Sequence, residues 1–381
     1  LALLQAGDTS GANQRGIRAI GQLKALDSKD DTEDERRCLM ASANALRAVT
    51  QSQSREFEHC EALLSEARTG LPDREIESKP LLRQRTMNLI AFCDGLASFE
   101  RGRRPGATGF MSRAERVLDS VEILDDPERP YMTVYFQLAR AAVHHKRHRL
   151  DLANTEFRSA RRHLESQPRD EIAILLRAIV HKDHGLTLLR TDRAEEAITG
   201  YQEGLTLLDE VSDERFARAV QYVRAITLNN LADAYFHTGR FAKANVARAK
   251  VIEPLQRYLD DGFSVNARDN LRLAFARSAI EKLMMGDSPS AYRELGHLGG
   301  SAWIPGYDFA QLSPAEKYCL MAMELTNPAK QPSAEQIAVL IDEISNSRNR
   351  KRHPIQTQVL SKTLEILRPL SPDRIDAMIV D

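Results

Sequence analysis

The chain has 381 residues, 42% apolar and 28% charged, which is enough apolar material for a large core. Its 53 Lys and Arg nearly cancel 54 Asp and Glu, for a formal charge of -1. That balance excludes a surface built chiefly for phosphate backbones, which needs a clear basic excess, but leaves room for local basic patches.

At the N-terminus, Leu1-Ala2-Leu3-Leu4 is too short for a signal-peptide core and has no basic lead. The chain starts without Met, so a trimmed cytoplasmic protein with a further module upstream is expected. No apolar run approaches the ~18–20 residues that cross a bilayer. Cys38, Cys60, Cys93 and Cys319 lie far apart and make no metal-type spacing, as expected of small buried residues in a reducing compartment. Residues 1–31 read as a partial helical repeat, 32–347 as a hairpin array and 348–381 as capping helices.

Helix starts are written along the array as capping boxes, in which a side chain and a backbone N–H three residues on satisfy each other. Thr32-x-x-Glu35, Asp192-x-x-Glu195, Ser313-x-x-Glu316 and Ser333-x-x-Gln336 all fit. Pro127, Pro130, Pro168, Pro332 and Pro354 fall between helices, where a missing N–H costs little. No window shows the alternation of strands.

Two central stretches repeat one another. The first runs through Gly185, Asp192, Ala197, Tyr201 and Gly204, and the second through Ala232, Tyr235, Gly239 and Ala244. Each has a small residue followed twelve positions later by Ala, with a turn between. Helices in a tight hairpin approach closely only where side chains are small. Extended outward, the second small position falls at Cys60, Ala107, Ala153, Ala197, Ala244, Ala291 and Ala338, steps of about 47 residues. The first falls at Ala48, Gly95, Ala141, Gly185, Ala232, Ala279 and Thr326.

This pattern resembles the tetratricopeptide repeat family. Ala153, Gly185, Ala197, Ala232 and Ala244 take the small places, and Phe157, Tyr201 and Tyr235 the aromatic ones. The step departs from the family's usual ~34 residues and predicts helices of about twenty residues, ~30 Å long. Such long-helix variants resemble those of bacterial peptide-sensing regulators and large signalling ATPases; a HEAT-like array is the alternative. The expected fold is all-α: a right-handed α-solenoid of about seven antiparallel helical hairpins.

The resemblance implies a protein- or peptide-binding scaffold with no catalytic residues, whose first helices line a concave groove. Residues two and three before each small position would face it: Leu138 and Ala139, Lys182 and Asp183, Asn229 and Asn230, Ala276 and Arg277. Asn can bond both N–H and C=O of an extended peptide, and Lys182 and Arg277 can take a carboxylate. The expected groove is therefore Lys182, Asn229, Asn230 and Arg277. Residues 299–312 break the helical pattern, and Trp303 with Tyr307 there form a candidate docking loop.

Chemistry is otherwise sparse. There is no phosphate-cradling Gly loop, no H-E-x-x-H and no G-x-S-x-G. No cofactor is expected. His144 and His148 have i, i+4 spacing, and His181 with His184 on the next hairpin could face them. Three neighbouring cations oppose a metal there, so a solvated basic helix end is the expectation. Basic clusters at Arg101–Arg104, Lys146–Arg149 and Arg348–Arg352 fall at turns, and nucleic-acid contact through them is the second reading, with an enzyme whose site is built across repeats the third and weakest.

Overall fold

The structure is a computed structural model. It describes residues 9–25, 30–53, 55–73, 76, 79, 81–103, 107–121, 131–260, 267–298, 312–327, 333–347 and 354–380. Seventeen α-helices and no strand occur among the described residues. After α1 (Thr9–Ala25) the helices pair into eight hairpins: α2 (Asp30–Gln53) with α3 (Phe57–Thr69), and α4 (Leu82–Gly102) with α5 (Thr108–Asp119). These are followed by α6 (Met132–Lys146) with α7 (Leu150–Glu165), then α8 (Glu171–Arg190) with α9 (Ala194–Glu210). The next are α10 (Ala217–His237) with α11 (Phe241–Asp260), and α12 (Ala267–Met284) with α13 (Ser288–Gly296). Last come α14 (Pro314–Leu325) with α15 (Ala334–Ser347), and α16 (Pro354–Leu367) with α17 (Pro372–Val380).

Five of these hairpins share one turn. Exactly three residues separate their helices, and the middle one is left-handed: Arg55 (φ 68°), His148 (φ 58°), Asp192 (φ 57°), Gly239 (φ 73°) and Gly286 (φ 83°). In each, the N–H after that residue reaches back five positions, as from Arg193 to Leu188 O at 2.9 Å and Arg240 to Tyr235 O at 2.8 Å. This is the Schellman ending, which satisfies carbonyls a helix end leaves orphaned. The next helix then begins at once, and the small residues Cys60, Ala153, Ala197, Ala244 and Ala291 are each its fourth member. A non-Gly residue in the left-handed region carries a steric cost. His148→Gly and Asp192→Gly are therefore expected to stabilise the protein by about 0.5–1 kcal/mol, and Gly286→Ala to destabilise it by about 1 kcal/mol. Urea-denaturation midpoints measure this, and an unchanged His148→Gly would show an unstrained turn.

Several sequence expectations shift. Ala107 is the N-cap of α5, and Met111 takes the fourth position there, because five residues instead of three separate α4 from α5. Thr326 is the C-cap of α14 and Ala338 is only half-buried, so the last repeat lacks the tight crossing. Ser313–Glu316 and Ser333–Gln336 close as reciprocal caps. Asp192 instead serves the turn, leaving Arg193 as N-cap, and Thr32 lies inside α2. Asp170 and Asp287 cap α8 and α13.

The chain divides into two compact units, residues 1–227 with 258–265, and 228–257 with 266–381. In the first, α2, α4, α6 and α8 contact one another in succession while each also packs on its own hairpin partner. Their shared core runs through Phe92, Phe136, Leu175 and Ile179, with Phe92 meeting Phe136 edge-on at 4.9 Å. The second unit has one core around Leu273, Ile280, Leu283 and Met323, and another around Leu340, Ile344, Leu364 and Ile375.

Candidate functional site

In the first unit the first helices of successive hairpins pack on one another and on their own partners, yet part of their surface stays open. One residue after the small packing position, Leu96, Ala142 and Leu186 are half-exposed on α4, α6 and α8. Four residues further, Glu100 is half-exposed and Lys146 and Arg190 are exposed. Residues four apart share a helix face, and these helices lie side by side, so the positions form an apolar strip bordered by a charged one. Lys182, one turn before Leu186, joins this face. Its side chain is 15% exposed and its Nζ lies 2.9 Å from Asp183.

Two histidines of this unit are held by neighbouring side chains. His145 Nδ1 pairs with Thr187 Oγ1 at 2.9 Å, and His184 Nε2 with Asn154 Oδ1 at 3.1 Å. Burial, then neighbouring arginines, pushes both down to about 4, so both are neutral near pH 7. Among the described residues no group of three or more His, Cys, Asp or Glu converges as a metal site would. Among the described basic-turn residues, Arg147 and Arg149 both bind Glu115, Arg101 binds Glu61 and Arg103 binds Glu100 at 3.0 Å, while Arg104, Arg348, Arg350, Lys351 and Arg352 lie outside the described residues.

In the second unit the other expected groove residues lie in the interior. Arg277 of α12 is 7% exposed; it donates to Asp233 of α10, and its Nε to Glu316 of α14 at 3.1 Å. Arg248 of α11, fully buried, donates to Glu281 of α12 (2.8 Å), Asp233 (2.8 Å) and Asn229 (2.6 Å). Glu316 also accepts from Ser313 N at 2.7 Å, tying the network to the start of α14. Asn230 is buried, with Nδ2 unpartnered, and Glu281 Oε2 is likewise buried without a partner. Arg277, Asn229 and Asn230 were expected to face a groove. Arg277 and Asn229 turn inward because Asp233, Arg248 and Glu316 supply the counter-charges and hydrogen bonds that make their burial tolerable.

This network holds two cations and three carboxylates. Burial by itself would raise Asp233, but Arg277 and Arg248 overcome it and hold the carboxyl below its ordinary value. Burial prevails at Glu281, which is pushed up despite Arg248. Of Asp233 and Glu281, Glu281 is therefore the one that more readily takes a proton. Sequence reasoning missed Arg248, although a signal was present: it falls four residues after Ala244 on the face that also carries Val251 and Leu255. Trp303 and Tyr307 lie outside the described residues.

No protein-family model matches the chain, and neither does any curated protein. Among solved structures it is similar to the apo form of RapI, at 10% identity and a TM-score of 0.50, over 98% of this chain and 99% of that one. It also aligns with the TPR domain of P58(IPK), at 12% identity and a TM-score of 0.29, over 97% of this chain and 98% of that one.

Proposed function

We propose that this protein, an all-α solenoid of the tetratricopeptide-like kind, is a non-catalytic scaffold that captures a segment of another protein on the inner face of its first unit. The observation that carries this reading is the half-exposed apolar strip Leu96–Ala142–Leu186, bordered by the exposed Lys146 and Arg190. Concave solenoid faces are extended binding surfaces, and small anchors flanked by charges suit a segment with apolar contacts and acidic neighbours. Lys182, Lys146 and Arg190 would meet the acidic side chains. In this reading Asn229, Asn230 and Arg277 shape the second unit and do not touch the partner directly. Nucleic-acid contact through the basic turns is the weaker alternative, since Glu115, Glu61 and Glu100 already occupy those arginines.

A photo-crosslinking residue placed at Ala142 or Leu186 of the full chain is expected to trap the same partner in its native cell. One at Leu152, exposed on the second helix of a hairpin, is expected to trap none. Leu186→Glu should weaken the partner's binding about tenfold or more, some 1.4 kcal/mol, with unchanged helicity. Equal trapping from Leu152, or normal binding by Leu186→Glu, removes the inner face as the site.

A further inference from the structure

A separate cleft in the first unit opens where α3 and α5 part over α4, enclosing a cavity of about 230 Å³. One guanidinium reaches it from each helix: Arg68 from α3, Arg101 from α4 and Arg113 from α5. At its floor Asp94, buried, takes Arg68 Nη2 at 2.7 Å and Arg113 Nη2 at 3.0 and 3.1 Å. Each of these arginines uses a single nitrogen on Asp94, and no other hydrogen bond of its guanidinium occurs among the described residues. Arg101 binds the exposed Glu61, and its Cζ lies over the Phe110 ring, 4.1 Å from the ring centre, and 5.6 Å from the centre of the Phe57 ring. Burial holds the Cys60 thiol up to about 11, so the remaining floor is neutral.

Three cations against two carboxylates leave one positive charge in a partly enclosed space with aromatic walls. A single buried carboxylate needs one cation, so two converging guanidiniums with unspent forks exceed what Asp94 requires. Planar guanidinium forks match carboxylates bidentately, and a monoanion would neutralise the cavity where a dianion would over-compensate it. The two Phe rings offer contact to an apolar body attached to that anion.

We propose that this cleft binds a small carboxylate carried on an aromatic or short apolar body, held by Arg68, Arg101 and Arg113 between Phe57 and Phe110. The site is independent of the inner face assigned above, and neither assignment needs the other.

The test is ligand-observed saturation-transfer NMR on the full chain at fixed ionic strength, with benzoate as the probe. Saturable binding is expected with a dissociation constant on the order of 1 mM. Arg101→Gln should weaken it at least fivefold, whereas Glu61→Gln, which frees Arg101, should strengthen it about threefold. That gain could not come from a damaged fold. Arg169→Gln, an exposed arginine of the same unit paired with Glu210, should leave binding unchanged, and inorganic phosphate should not displace benzoate. The proposal is overturned by absent or non-saturable binding, by indifference to Arg101→Gln, or by no gain in Glu61→Gln. Displacement by phosphate at equal concentration also overturns it, since the cleft would then select charge alone.

Discussion

Arg248→Ala is expected to destabilise the protein by about 3–5 kcal/mol, measured from urea denaturation followed by circular dichroism. The guanidinium is 0% exposed and bridges Asp233, Glu281 and Asn229. Its removal leaves Glu281, also 0% exposed, with no cation in hydrogen-bonding range. The cost comes from the stranded carboxylate rather than from the lost attraction, because forming a buried pair gains little over an apolar substitute. The double variant Arg248→Met/Glu281→Leu should therefore recover at least half of the loss, since it removes the group the single change strands. Asp233 keeps Arg277 throughout. A single-variant loss under about 1 kcal/mol would mean that water reaches the carboxylates, and the buried-network account would fail.

Gly185→Ala is expected to cost about 3 kcal/mol, at the upper end of what overpacking a core does. A Cβ at Gly185 would stand 2.4 Å from Cε1 and Cζ of Tyr201 and 2.8 Å from its hydroxyl oxygen. Tyr201 is fully buried across the α8–α9 crossing, so the ring has nowhere to retreat. Gly200→Ala, on α9 of the same hairpin, should do the opposite. Its Cβ would meet only His181 Nδ1 at 3.7 Å, so the helix gains about 0.8–1 kcal/mol of propensity. Thermal or urea midpoints of the two variants should move in opposite directions; a common direction would show that helix propensity and not the crossing decides both.

The contrast between these glycines shows where the sequence was readable. Gly185 and Tyr201 sit sixteen residues apart across a predicted turn, and the small–aromatic pairing already pointed to a close helix crossing. The 47-residue step reappears as turn geometry, with Asp192, Gly239 and Gly286 in the left-handed position of successive hairpins. Met111 in the place expected for Ala107 reflects a longer link, which a fixed period cannot register. The candidate site was less legible. Lys182 lies on the open face, but nothing in the sequence marks its neighbours there, Leu96, Ala142 and Leu186. Half-exposure depends on how adjacent hairpins cover one another, which no single helix encodes.

By itself the sequence determined that the chain is helical, where most hairpins turn and which small residues meet at their crossings. These follow from short-range rules: 3.6-residue periodicity, caps, and the left-handed turn residue. Only the tertiary structure decided which polar residues face outward and which face each other. Asn229 and Arg277 looked like groove residues because a helical pattern specifies a face and not its neighbour. Their fate rested on Asp233, Arg248 and Glu316, brought together from three helices, because a charge can be buried only where the fold delivers its counter-charge.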